Sequence, residues 1–341
     1  TRAPEVHWAA VPYLDPAYGD HKIIWETNRH QYWLVLGVAY WLSADPRYRE
    51  TFVAHLDSWL RANPPLIGVN WASMLELAFR TLSWTWAIEF FAAGGESDDT
   101  PWLVDLLLSM DRQLTHIAQN LSQYFSPNTH LTGEALALYA VSVAFPELRR
   151  SHTRLAHGRN VLVGEIDRQV RRDGGHAELS AHYHRYTTDF YLLALMAARA
   201  SGDTAAAAAF EPAARRLAAY LRTLADDRGR LPLIGDDDGG QLFRFQAPRP
   251  ADASPTLGVA AALLEDPSLA VKPVAEEMCW ILGRVPDGRE VRASGVPSAW
   301  PSRVMRDSGY FVSRTADGGH LVFDAGPHGF LNGGHAHADA L

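Results

Sequence analysis

A chain of 341 residues, 47% hydrophobic and 21% charged, has ordinary globular composition and room for one large domain plus part of another. Its net charge of −8 supplies no global basic field for nucleic acid, and the single cysteine, Cys279, excludes an internal disulfide framework and a cysteine-rich zinc site. No apolar run is long enough to span a membrane.

Residues 1–16 read as extended and proline-punctuated. Helical spacing of apolar residues then predicts one helix from Asp20 through Trp41, and a second from Asp45-Pro46 to Leu60, ended by Asn63-Pro64-Pro65. A third runs from Trp71 to Phe91 and is broken by Gly94-Gly95. Further helices are expected near 101–123, 131–145, 152–172, 177–200 and 204–226, with shorter ones near 255–265 and 273–282. Helix pairs recurring in this way close into a solenoid or a toroid. From Arg303 the pattern changes. Gly309–Arg314 and His320–Gly326 read as strands joined by an Asp317-Gly318-Gly319 turn, and the sheet reads as incomplete in this chain.

Five constellations carry chemistry. Asn128-Thr129-His130 opens a helix, where unpaired N–H groups and the dipole favour an anion; the alternative is an Asn cap beside a satisfied surface imidazole. Asp173 to Tyr186 places His182, Tyr183, His184 and Tyr186 at a helix start after Gly174-Gly175, and each ring needs a hydrogen bond if buried. In Ile67 to Glu76, Asn70 is a candidate cap and Trp71 a candidate sugar platform. Arg80 either meets substrate or pairs with Glu76 four residues earlier. Gly235-Asp236-Asp237-Asp238-Gly239-Gly240 is either a hard-cation loop without calcium spacing or a structural turn. In His335-x-His337-x-Asp339 an extended backbone puts all three side chains on one face. Two imidazoles and a carboxylate suit zinc, but a split role, with one His on a metal and the other in an active site, fits such close spacing better.

Taken together, these residues resemble the heparinase II/III-like family of polysaccharide lyases. The resemblance covers nearly the whole chain. It rests on Trp25 to His30, Asn70-Trp71, Asn128 to Glu134, Asp173 to His184, Gly235 to Asp238, and Asp324-Ala325-Gly326 to Asp339. It implies an incomplete (α/α) toroid over residues 1–300, followed by the beginning of an antiparallel β-sandwich domain over 301–341. It also implies β-elimination on a uronic-acid-containing polysaccharide, with Tyr183 and His335 catalytic and Asn128 and His130 neutralising the uronate carboxylate. Substrate contacts are expected at Arg29, His30, Asn70, Trp71, Glu134 and His184, with Arg80 added from its helix. His337 is the expected zinc ligand, its co-ligands lying past Leu341. Some members have Asn and His adjacent, whereas Thr129 separates them here. The expected partner is an anionic uronate polymer rather than nucleic acid or membrane, met in the periplasm or outside the cell; the sequence leaves the cytoplasm and the oligomeric state open. Two other classes compete. A hydrolase on the same scaffold would need two carboxylates across a cleft, from Glu76, Glu134, Glu178 and Asp189. A non-catalytic glycan-binding protein would need Trp71 and basic residues but not Tyr183.

Overall fold

The computed structural model describes residues 4–12, 15–92, 101–237, 239–246, 249, 251–271, 275–284, 300–330 and 335–336. Gly94, Gly95, Asp238, Gly333, Gly334, His337 and Asp339, all named above, lie outside the described residues.

Helices α1 (His21–Asn28), α2 (Tyr32–Ser43), α3 (Pro46–Ala62), α4 (Met74–Ala92) and α5 (Pro101–Gln119) come first. They are followed by α6 (Thr129–Ala144), α7 (Ser151–Gln169), α8 (Ala181–Ser201), α9 (Thr204–Leu224), α10 (Ser254–Leu263) and α11 (Glu277–Leu282). Strands β1 (Arg303–Met305), β2 (Tyr310–Arg314) and β3 (His320–Asp324) close the described chain. The chain is thus mainly helical, with an antiparallel sheet at its C-terminal end. Among the described residues no helix is long and apolar enough to cross a membrane.

Local chemistry sets many of these boundaries. Asp45 Oδ1 accepts from Arg47 N–H at 3.0 Å, and Pro46 takes the first helical position, where its missing donor costs nothing. Gly202 ends α8 in the left-handed region, and Asp203 caps α9 by accepting from Ala206 N–H at 3.0 Å. The single helix expected over Asp20–Trp41 is instead two. His30 sits at φ 57 between them, and Asn28 C=O accepts from Arg80 Nε at 2.7 Å instead of continuing the ladder. The third helix begins at Met74, three residues later than expected, because Val69–Trp71 forms a separate 3-10 turn.

Contacts divide the chain into two compact units. The first holds residues 1–125, 133–158 and 243–246. Its core is aromatic: Phe52 stacks on Phe91 at 4.3 Å and meets Trp102 edge-on at 5.2 Å. Such pairs add about 0.5–1.5 kcal/mol beyond area burial. Gly37 lets α2 approach α4, since a Cβ there would lie 2.4 Å from the Phe90 ring.

The second unit holds residues 126–132, 159–242 and 247–341. Helices α8 and α9 pack together in it and carry the sheet. The strand order is β1-β2-β3, with Met305 opposite Tyr310 and Tyr310 opposite Asp324. Strand alternation turns Tyr310 and Val312 inward, onto a core that includes Tyr220, Leu221 and Leu224 of α9 and Leu257 of α10. Polar ties fix the docking. Asp173 accepts from Ser308 N–H at 2.7 Å and Oγ–H at 2.9 Å, and the Tyr310 hydroxyl donates to Leu179 C=O at 2.8 Å. By contact, therefore, the sheet belongs with α8 and α9.

Candidate active site

The second unit gathers Tyr183, His335 and Asp236. Ser180 starts α8: its Oγ accepts from Tyr183 N–H at 3.2 Å and donates to Asp236 C=O at 2.9 Å. One hydroxyl therefore fixes both the first turn carrying Tyr183 and the acidic loop. Asp236 N–H donates to His335 C=O at 2.8 Å, and Asp236 Oδ2 lies 3.1 Å from His335 Nδ1. The Tyr183 and His335 rings are stacked, with centroids 3.9 Å apart and planes 18° from parallel. A carboxylate on Nδ1 fixes the imidazole so that Nε2 is the nitrogen that exchanges a proton. Gly235 makes the approach feasible. Its φ is 72, and a Cβ there would lie 2.6 Å from His335 C=O.

Asp236 thus ties the acidic loop to His335. Its next residue, Asp237, pairs with His182 Nδ1 at 3.1 Å. Sequence reasoning had Asp236 in the correct loop but missed its partner; the signal is the Gly-bounded acidic turn, and only the fold supplies the imidazole. Among the described residues no group of three or more His, Cys, Asp or Glu side chains is arranged to hold a metal ion.

The Asn128 element lies in the same unit. Asn128 Oδ1 accepts from His130 N–H at 3.0 Å, so the cap reading holds, and it uses the oxygen rather than the amide donors. Thr129 Oγ1 donates to Glu178, at 3.2 and 3.3 Å from the two carboxyl oxygens. Burial pushes Glu178 up to about 7. His184, expected at substrate, is turned inward instead. Its Nδ1 accepts from His176 N–H at 3.1 Å and its Nε2 faces Leu217 C=O at 3.0 Å. Both nitrogens are thereby used, and burial pulls its pKa down to about 4.

The other expected substrate contacts lie in the first unit and are interior. Arg29 grips Glu76 through Nε at 2.7 Å and Nη2 at 2.8 Å, and reaches Glu26 with Nη1 at 2.9 Å. Glu76 thus pairs with Arg29 rather than with Arg80. Arg80 donates to the carbonyls of Asn28 and Asn70 and to Gln113 Oε1, and its guanidinium lies 4.7 Å over the Trp59 ring. Asn70 Nδ2 donates to Asn63 Oδ1 at 2.7 Å. Trp71 is 1% exposed, so no ring face is open to stack on a sugar. His30 accepts from Trp84 Nε1 at 2.9 Å while stacked on Trp33, and burial holds its pKa well below the ordinary imidazole value. Glu134 accepts from Ser122 N–H at 2.8 Å and Oγ–H at 2.6 Å, pinning the loop before Asn128. Of the four carboxylates considered for hydrolysis, Glu76, Glu134 and Glu178 are buried and Asp189 is half-buried.

Residues 2–236 match the heparinase II/III N-terminal family and residues 297–341 the heparinase II/III-like C-terminal family. The heparin-sulfate lyase of Bacteroides thetaiotaomicron is 28% identical over 171 residues, covering 49% of this chain and 24% of that protein. That of Pedobacter heparinus is 26% identical over 202 residues, covering 57% and 29%. A crystal structure of heparinase III superposes with a TM-score of 0.64 at 18% identity, covering 88% of this chain and 44% of the other. The heparan sulfate lyase of Pedobacter heparinus gives 0.60 at 18%, covering 96% and 48%. The matched region is therefore under a third of these curated relatives and about half of the solved chains. With both family regions present in order over most of its length, the chain belongs to the heparinase II/III family.

Proposed function

We propose that this chain carries the central machinery of a polysaccharide lyase that cleaves a uronic-acid-containing glycosaminoglycan by β-elimination. The observation that carries the reading is the stacked Tyr183–His335 pair with Asp236 on the imidazole. The names of the relatives, heparin-sulfate lyases, favour a sulfated polymer. A polymer of that kind is met in the periplasm or outside the cell.

The C5 proton of a uronate is weakly acidic because the neighbouring carboxylate is already negative. Donors on that carboxylate let the extra charge delocalise into it. The amide of Asn128 and the imidazole of His130, at the start of α6, are assigned this task. Tyr183 as phenolate takes the C5 proton, the C4–O4 bond breaks, and a C4–C5 double bond forms. The phenol then returns a proton to the leaving O4. An unperturbed phenol near pKa 10 is a poor base at neutral pH, so donor or positive groups such as Arg29, His184 or His335 would have to lower it. The structure gives Arg29 and His184 other partners, which leaves His335 as the neighbour for that role. For the opposite C5 epimer His335 Nε2 takes the proton and Tyr183 supplies the acid. His337, outside the described residues, would serve as a zinc ligand, and no step above uses a metal.

The test is the ultraviolet absorbance of unsaturated uronate, followed for heparan sulfate, heparin, hyaluronan and alginate with this chain and with a form extended past Leu341. A rise with one polymer establishes elimination and names the substrate. Reducing ends released without that absorbance would replace the reading with hydrolysis, and binding without turnover would replace it with a glycan-binding role.

A further inference from the structure

Beneath the Asn128-Thr129-His130 element lies a closed ring of buried polar groups that the mechanism does not use. Gln169, at the end of α7, donates through Nε2 to the carbonyls of Pro127 and Asn128, both at 3.2 Å, and to Glu165 Oε2 at 2.9 Å. With Nε2 the donor, Oε1 accepts, so His176 Nε2, 3.2 Å away, carries a hydrogen. A neutral His176 then has its lone pair on Nδ1. That nitrogen is buried without a hydrogen-bond partner, 3.9 Å from Glu178 Oε2. Glu178, 2% exposed, accepts from Thr129 Oγ1. Thr129 follows Asn128, and the ring is closed.

We propose that Glu178 and His176 share a single proton and act as positioning residues, holding Asn128 and Thr129 in place while keeping buried negative charge away from the substrate carboxylate. The effect on catalysis rests on the lyase reading; the shared proton does not. A buried nitrogen lone pair and a buried carboxyl oxygen facing each other need a hydrogen between them, since each left alone is desolvated without a partner. A movement of under about 1 Å closes the pair to hydrogen-bond length. Thr129 of α6 and His335 of the C-terminal segment face Glu178, while Arg171, His184 and His335 act on His176. Burial raises the carboxyl to about 7 and holds the imidazole well below its ordinary value, which keeps the proton on Glu178 in mildly acid solution.

Two variants and one direct measurement test this. Glu178→Gln puts an amide donor on His176 Nδ1 at every pH, whereas Glu178→Ala removes the donor. With heparan sulfate as substrate, kcat/KM of the parent falls as pH rises through about 7. The Gln variant lacks that fall and stays within about threefold of the parent at pH near 6, while the Ala variant loses more than about tenfold throughout. Equal loss in both variants, or a Gln profile that coincides with the parent's, overturns the proposal. Nitrogen-15 NMR of His176 and carbon-13 titration of Glu178 in the unmutated chain decide the proton itself. A lone-pair Nδ1 with Glu178 titrating near neutrality is expected. A hydrogen fixed on Nδ1, or Glu178 ionising in the ordinary carboxylate range, overturns the shared proton. Should the parent release no unsaturated product, the lyase reading fails by itself and the NMR result alone decides the pair.

Discussion

At the scale of single residues, two side chains separate proton transfer from binding. Tyr183→Phe keeps the ring stacked on His335 and removes only the hydroxyl. Its kcat should fall by about 10²–10⁴ with KM and melting temperature little changed. A variant that retains more than about a tenth of the activity would take the proton from some other group. Asp236→Asn keeps the shape but no longer compels a hydrogen on Nδ1, so a loss of about tenfold or more in kcat is expected, smaller than that of Tyr183→Phe. Tyr183, His335, Asn128 and His130 stood out as candidates in the sequence because each sits in a polar cluster beside a turn, while their proposed roles came from the family resemblance. The neighbours of Tyr183 were not separable in the same way. His184 is about 100° further round the same helix, and nothing in the composition says which azimuth meets the interior. Trp71 fails for a related reason: an indole beside a helix start serves as core or platform equally well until its burial is known.

At the scale of elements, helix and strand boundaries were legible where capping chemistry writes them into the chain, as at Asp45-Pro46 and Gly202-Asp203. The break at His30 was not, because a left-handed residue held by Trp33 and Trp84 leaves apolar periodicity intact. The acidic turn makes the same point for the site. Gly235 joins α8 to the His335 segment at φ 72, with no space for a Cβ against His335 C=O or Ser180. Gly235→Ala should therefore cost about 1–3 kcal/mol of stability through backbone strain. It should also lower kcat well beyond what the fraction unfolded explains, because relief comes by shifting His335. Circular-dichroism melting alongside initial rates checks both. An active, unshifted variant would show that the turn does not position the imidazole. Asp173 gives the matching control away from the chemistry. Asp173→Ala should cost about 1–3 kcal/mol of stability through the unpaired Ser308 donors, seen as a lower melting temperature, with a smaller effect on kcat.

For the whole molecule, buried ionisable groups set how stability follows pH. Burial raises Glu134 and Glu178 to about 7 and Asp189 to about 6. Burial also lowers His184 to about 4 and holds His30 and His176 well below the ordinary 6.5. Between the ordinary carboxylate range and 6.5 the folded acids keep protons that the unfolded chain releases, so their contribution falls as pH rises. Over the same interval the buried imidazoles refuse protons that the unfolded chain takes up, so theirs rises, and the two sets oppose each other. Of these groups, the acids alone go on losing stability above 6.5, and that loss ends once Glu134 and Glu178 have ionised past about 7. Each proton of difference is worth about 1.4 kcal/mol per pH unit. Glu134→Gln isolates one of these terms in the first unit, at a residue that holds Ser122. At acid pH the variant should be no more stable than the parent, since an amide replaces a neutral acid. As pH rises through about 7 the parent alone bears the cost of a buried carboxylate, so the variant's stability should gain steadily on the parent's. Denaturant unfolding of both proteins across mildly acid to mildly alkaline buffers measures the difference directly. A difference that does not change with pH would mean that Glu134 ionises in the fold as readily as it does in the unfolded chain, with the Ser122 donors offsetting its burial in full.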